Sequence, residues 1–183
     1  MNQFFIRYGL LFIGIILDFI LKPFLPSNFG YQSFIIESLF GLIALLLVTR
    51  NMPLNKKMVV ALFYGLFVEL NTFNSHLIPL VSILSIVMLS HITWELIGNL
   101  FLEKVIHLFV LISGTLFIKF VFGHLVGVTQ ASFINYITYE YILTILLNLG
   151  SILILLFFET QLFDYQTQRE RIRRRREHIS MLD

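Results

Sequence analysis

Six apolar stretches, separated by short polar connections, restrict this chain more than anything else in it. They run over Phe4–Leu21, Phe34–Thr49, Met58–Asn71, Leu77–Thr93, Val105–Gly123 and Tyr139–Phe158. A helix needs about 20 mostly apolar residues to cross a hydrocarbon core. Six crossings use about 120 residues and leave connections of the length normal for a compact helical membrane domain. Composition agrees: 57% of residues are hydrophobic and 13% charged, and the mean hydropathy is +0.85. A soluble domain carries about a quarter charged residues. The expectation is an all-α polytopic membrane protein with one six-helix domain over residues 1–160 and a basic cytoplasmic tail over 161–183.

The first stretch could imitate a signal peptide, but Lys22-Pro23-Phe24-Leu25-Pro26 follows it where a small-residue cleavage site would stand. It reads as a retained helix. Pro23 to Ser33 reads as a loop, and Arg50 to Lys57 separates the second and third stretches. The short turn Thr72-Phe73-Asn74-Ser75-His76 joins the third and fourth. That hairpin either crosses the membrane or forms a re-entrant pair, and both return the chain to the same side.

Basic residues near helix ends set orientation. Arg7, Arg50, Lys56, Lys57, Lys104 and the tail arginines fall on one side, and the opposite loops hold Lys22 alone. The first side is expected to be the cytoplasm, with both termini there. Trp94 falls at the inner end of the fourth stretch, where an interfacial ring is expected.

With that orientation Asp18, Glu37, Glu69, Lys119 and Glu140 all fall in the outer half. Charge near a helix centre costs about 2.5–3.5 kcal/mol on insertion scales. Two readings stand. In the first they are interfacial: Glu37 and Glu140 begin helices, Asp18 pairs with Lys22 along one face, and Lys119 snorkels outward. In the second they line an outward polar cavity or partner groove, with Glu69 and Lys119 deepest.

No motif announces chemistry. Cysteine is absent, which excludes disulfides and thiolate catalysis. His91 and Glu95 are spaced i, i+4, but no metal-ligand spacing occurs, and no cofactor is expected. No nucleophile elbow, phosphate loop or dinucleotide fingerprint is present, so an enzyme is not expected. Gly123-His-Leu-Val-Gly127 has GxxxG spacing at a helix end, where it marks a turn more readily than a helix contact.

The character of the chain changes at Gln161. Arg169, Arg171, Arg173, Arg174, Arg175 and Arg176 fall within a segment expected to extend the last helix. They suit anionic membrane lipid, at about 1 kcal/mol per basic residue near a surface, or an acidic cytoplasmic partner. Nucleic acid is not expected, since no aromatic residues are interleaved with the arginines.

Two segments resemble the MreD family of bacterial rod-shape-determining proteins. One is Ala61-Leu-Phe-Tyr-Gly65-Leu-Phe-Val-Glu69-Leu70, followed by a polar turn and another apolar helix. Where the family has a short turn containing Leu-Gly, this chain has His76-Leu77-Ile78-Pro79. The other is the apolar run from Leu143 to Leu156 around Asn148, followed by the basic tail. The resemblance implies a non-enzymatic scaffold of the cell-elongation and peptidoglycan-synthesis machinery, with Gly65, Glu69 and Asn148 as its motif positions. It also implies an MreC-like bitopic partner, with MreB-like, RodA-like and penicillin-binding proteins nearby, and a fold like that of energy-coupling-factor substrate-binding subunits. Such a subunit is itself the main rival reading. Those subunits commonly present alanines on their first helix, whereas the first stretch here has Gly9 and Gly14 and no alanine.

Overall fold

The computed structural model describes residues 3–26, 35–72, 76–94 and 100–179, with side chains described between residues 8 and 161. Among the described residues the chain is helical, without strands. Helices α1 (Gln3–Leu21), α2 (Phe40–Thr49), α3 (Leu54–Leu70), α4 (Ile78–Thr93) and α5 (Phe101–Leu125) follow one another. A single-turn helix α6 (Phe133–Tyr136) then runs through a π-helical turn (Ile137–Tyr141) into the long α7 (Ile142–Ile179).

Two of these elements, Phe101–Leu125 and the continuous Phe133–Gln161, are long and apolar enough to cross a bilayer. The outward faces carry Phe12, Phe63, Met88, Ile92, Phe117, Leu146 and Phe157, all large and exposed. Water penalises so broad an apolar surface, and lipid tails do not. Both features point to a membrane protein.

Helix α2 lies at the centre. Every residue from Phe40 to Thr49 is buried, as expected of a helix that is apolar all round. It packs closely on α1, because Gly14 lets the backbones meet. A Cβ at Gly14 would lie 2.8 Å from the Phe40 carbonyl oxygen and 2.9 Å from the Ala44 Cβ. Further packing comes from Ile86 and Val87 of α4, Leu108, Leu111 and Ile112 of α5, and Ile152, Leu155 and Leu156 of α7.

The expected second span, Phe34–Thr49, is corrected here. Phe34 lies outside the described residues, residues 35–39 are non-helical, and α2 begins only at Phe40. At ten residues α2 is about 15 Å long, half a hydrocarbon core. The physical reason lies in distant partners: backbone N–H groups of the 35–39 segment find acceptors on other elements, described below, in place of carbonyls four residues back. The third helix also starts earlier than expected, at Leu54 directly after Pro53, and so takes in Lys57, which is buried instead of lying in a loop. Proline fixes the entry backbone and lacks the N–H that a first turn leaves unused.

At the other end of α5, Gly127 adopts φ +77°. Its N–H meets the His124 carbonyl at 3.2 Å, and the Val128 N–H meets that of Gly123 at 2.9 Å. This pair is a Schellman closure. Gly123 and Gly127 therefore end a helix, as their position implied.

Candidate functional site

The 35–39 segment gathers polar groups from four elements at one end of the bundle. Its non-helical backbone does not satisfy itself, and a buried unpaired N–H costs about 1–3 kcal/mol. Ile35 N–H donates to the Tyr139 carbonyl in the π-helical turn (2.8 Å), and Ile36 N–H to the Pro26 carbonyl (3.1 Å). Glu37 N–H donates to Thr144 Oγ1 at 3.2 Å and Leu39 N–H to Asn148 Oδ1 at 2.8 Å. Asn148 Nδ2 donates in turn to the Glu37 carbonyl (2.8 Å) and the Thr144 carbonyl (2.7 Å). Asn148 and Thr144 are fully buried. Asn148 thus acts as a bracket that fastens the segment to α7.

Asp18 of α1 performs the matching task at the start of α2. Its Oδ1 accepts from the Ser38 hydroxyl and from Phe40 N–H (2.8 Å), and its Oδ2 from Gly41 N–H (2.7 Å). A helix start leaves its first N–H groups without internal partners, and a carboxylate there also meets the positive end of the dipole. Here the capping group comes from another helix. Gly41 leaves room for these side chains: a Cβ would lie 2.6 Å from the Tyr64 hydroxyl and 2.9 Å from Asp18 Oδ2, and both would have to shift.

Beside the segment opens a recess of about 410 Å³, lined by α1, residues 35–39, α2, α3, α4 and α5. Asp18, Lys22, Glu37, Asn71 and Lys119 are its charged and amide-bearing contributors. Lys119 Nζ pairs with Glu37 Oε1 across it, with both side chains about three-tenths exposed. Lys22 Nζ donates to the Asn71 carbonyl at 2.7 Å.

The expected polar level is therefore only partly one place. Asp18, Glu37 and Lys119 share the recess. Glu140 is buried in the π-helical turn, and Glu69 faces the α3–α4 turn; neither lines the recess. The expected Asp18–Lys22 pairing is corrected, since Asp18 turns to the start of α2 while Lys22 reaches Asn71. Lys119 pairs inward with Glu37 and does not snorkel alone, and Glu37 precedes its helix by three residues and does not begin it.

Glu69 has its own task. Its Oε1 accepts from Leu77 N–H at 2.9 Å, closing the turn before α4. His76 and Leu77 adopt φ 47° and 64° there, the left-handed region that disfavours side chains. Leu77→Gly should therefore raise stability by about 0.5–1 kcal/mol, measured as the melting midpoint in mild detergent, because glycine enters this region without steric cost. An unchanged or lowered midpoint would contradict strain at Leu77.

At the opposite end, Arg50 lies over the Trp94 ring, 4.5 Å from its centroid, and the His107 ring meets Trp94 edge-on at 4.4 Å. Trp94 sits at the end of α4 as expected, but it is buried between these partners and not turned out to a lipid interface. The His91–Glu95 spacing cannot be followed further, because Glu95 lies outside the described residues. Among the described residues no three His, Asp or Glu side chains converge to hold a metal ion. The arginine-bearing tail continues α7 as helix to Ile179. Sequence reasoning missed Thr144, Tyr64 and the π-helical turn; an amide at Asn148 inside an apolar run was the available signal, since it must find buried partners.

Compared with protein-family models, with curated proteins and with solved structures, the chain matches none.

Proposed function

We propose that this chain is a non-enzymatic, membrane-embedded adaptor of the bacterial rod-shape and peptidoglycan-synthesis machinery, of the MreD kind. In this reading it crosses the cytoplasmic membrane six times with both termini inside. The second crossing combines the non-helical residues 35–39 with the ten-residue α2, which alone covers about 15 Å, half a hydrocarbon core. Non-helical backbone at that depth is tolerated where protein buries it, and Asp18, Thr144 and Asn148 supply the bonds.

The observation that carries the reading is the turn after α3. MreD-like proteins have a glycine-containing turn where this chain departs with His76-Leu77-Ile78-Pro79, and His76 and Leu77 hold the left-handed conformation that glycine favours. Glu69, the acidic motif position, closes that turn, and Gly65 lets α4 approach: a Cβ there would lie 2.6 Å from Leu80 Cδ1. Asn148, the third motif position, holds the non-helical segment before α2. Helix α7 adds two-sidedness. Its 38 residues run about 57 Å, from the brackets on the recess at Thr144 and Asn148 to the arginine-rich extension. The recess end faces the periplasm and an MreC-like bitopic partner. The arginine end faces anionic lipid and acidic cytoplasmic partners of the elongation complex, among them MreB-like, RodA-like and penicillin-binding proteins.

The tagged chain, solubilised in mild detergent, should co-purify with a single-span periplasmic protein of the MreC type. Recovery of an ATP-driven transporter module, or of a bound vitamin, would replace this reading with the substrate-binding subunit of an energy-coupling-factor transporter.

A further inference from the structure

We propose that the recess binds one uncharged, mostly apolar molecule carrying a hydrogen-bonding oxygen, a hydroxyl or a carbonyl, and that the Tyr64 hydroxyl holds that oxygen. The recess measures about 410 Å³, within the range of small-molecule sites, which are mostly apolar with a few placed polar groups. Phe19, Leu25, Ile36, Phe67, Pro79 and Ile83 supply apolar walls for a chain or ring body.

The walls set the charge of the ligand. Asp18 and Glu37 stand against Lys22 and Lys119, so the lining carries no net charge. Each of the four is also answered in place. Asp18 takes the Ser38 hydroxyl and the first N–H groups of α2, and Lys22 donates to the Asn71 carbonyl at the end of α3. Both therefore meet the helix end of opposite sign. Glu37 and Lys119 pair with each other. An ion entering the recess would leave water with no counter-charge held ready for it, and an unpaired charge is costly to bury.

One polar group is left over. Thr72, Ser82 and Thr115 turn their hydroxyls back to carbonyls four residues earlier, at 2.8, 2.7 and 2.9 Å, and the Asn71 amide does the same at 2.7 Å. Tyr64 is 7% exposed, and its hydroxyl, close to Gly41, has no hydrogen-bond partner among the described residues. A buried tyrosine hydroxyl ordinarily has one. Tyr64 lines the recess, so a partner can come from that space. A water there needs two or more polar contacts, and the neighbouring polar side chains are already engaged. A ligand oxygen on Tyr64 supplies the missing bond while the apolar body covers the walls.

The test is native mass spectrometry of the full chain in mild detergent, titrated separately with 1-tetradecanol and with cyclododecanol. Tetradecane, which lacks the oxygen, and myristate, which carries a charge, serve as comparators. The expected result is one alcohol retained per chain, at least fivefold more tightly than either comparator. Retention of the open-chain alcohol alone points to a lipid-like ligand, and of the ring alcohol alone to a compact one; both outcomes support the site. Tyr64→Phe removes a hydroxyl that nothing in the described protein bonds, so the melting midpoint without ligand should stay where it is. Retention of the alcohol should fall about fivefold, the scale of one neutral hydrogen bond, to the level of tetradecane. Val68→Trp, which fills the recess without changing its charge, should abolish retention. Myristate or tetradecane held as tightly as the alcohols, no retention by the unaltered chain, or unchanged retention by Tyr64→Phe or Val68→Trp would overturn the site. So would a large fall in the ligand-free melting midpoint of Tyr64→Phe, which would show the hydroxyl bonded within the protein. A retained alcohol and a captured single-span partner are separate results, so the site and the adaptor role can fail independently.

Discussion

Replacing Asn148 by leucine should lower stability by about 3 kcal/mol, one of the two largest effects expected of a single substitution in this protein. Leucine matches the volume of the amide closely enough that packing is not the main loss. The loss comes from two backbone groups of the non-helical segment, the Leu39 N–H and the Glu37 carbonyl, which Asn148 now serves at 2.8 Å each. An unsatisfied buried group costs about 1–3 kcal/mol, and leucine would leave both groups without this partner. Asn148→Asp keeps the acceptor for Leu39 and loses the donor to Glu37, so it should fall between. Melting midpoints in mild detergent measure the size of the effect, and hydrogen exchange at residues 35–41 measures its place. A leucine variant as stable as the parent would show that the segment is held by something other than this amide.

The second large effect is expected at Asp18. Asp18→Ala removes the acceptor for the Ser38 hydroxyl and for the Phe40 and Gly41 N–H groups together. Two of those donors begin a helix that is buried over its whole length. A loss of about 3 kcal/mol is expected from the stranded donors, with faster exchange at Phe40 and Gly41. Asp18→Asn retains one carbonyl oxygen and should cost roughly half as much. Because Asp18 and Asn148 fasten adjacent residues of one segment, their effects should not add. Once the segment is released by one, the other has less left to lose, and the double variant should fall short of the sum. Strict additivity would mean that the two ends of the segment are held independently.

Much of this architecture can be read from the residues alone. The stretches Val105–Gly123 and Tyr139–Phe158 fall inside the two helices long enough to cross a bilayer, and the tail continues as helix. The 35–39 segment could not be read in the same way. Ile35, Ile36 and Leu39 are as apolar as the α2 residues that follow, and so short a run has no periodicity to separate helix from non-helical chain. What decides it is a set of acceptors on α1 and α7, up to 109 positions away along the chain.

The polar level has a related explanation. Sequence gives the height of Asp18, Glu37, Glu69, Lys119 and Glu140 along the bundle but not the direction each one faces. Asp18, Glu37 and Lys119 turn to one recess, while Glu69 turns to the Leu77 N–H. For Asp18 the nearest opposite charge, Lys22, suggested a local pair. The buried start of α2 supplies stronger donors, because those N–H groups have no alternative partner, whereas the Lys22 ammonium can reach a carbonyl at the rim.

The adaptor account depends on the recess and the arginine-rich extension lying on opposite sides of the membrane. The chain has no cysteine, so single cysteines can be introduced without a background to remove. Gln130 is exposed in the connection after α5, at the recess end, and Asn51 is exposed after α2, at the other end; Gln168 lies in the tail. With a membrane-impermeant maleimide on intact cells, Gln130→Cys should be labelled directly. Asn51→Cys and Gln168→Cys should be labelled only after the membrane is opened. Labelling of Asn51→Cys or Gln168→Cys in intact cells, or of all three positions from one side, would contradict the account.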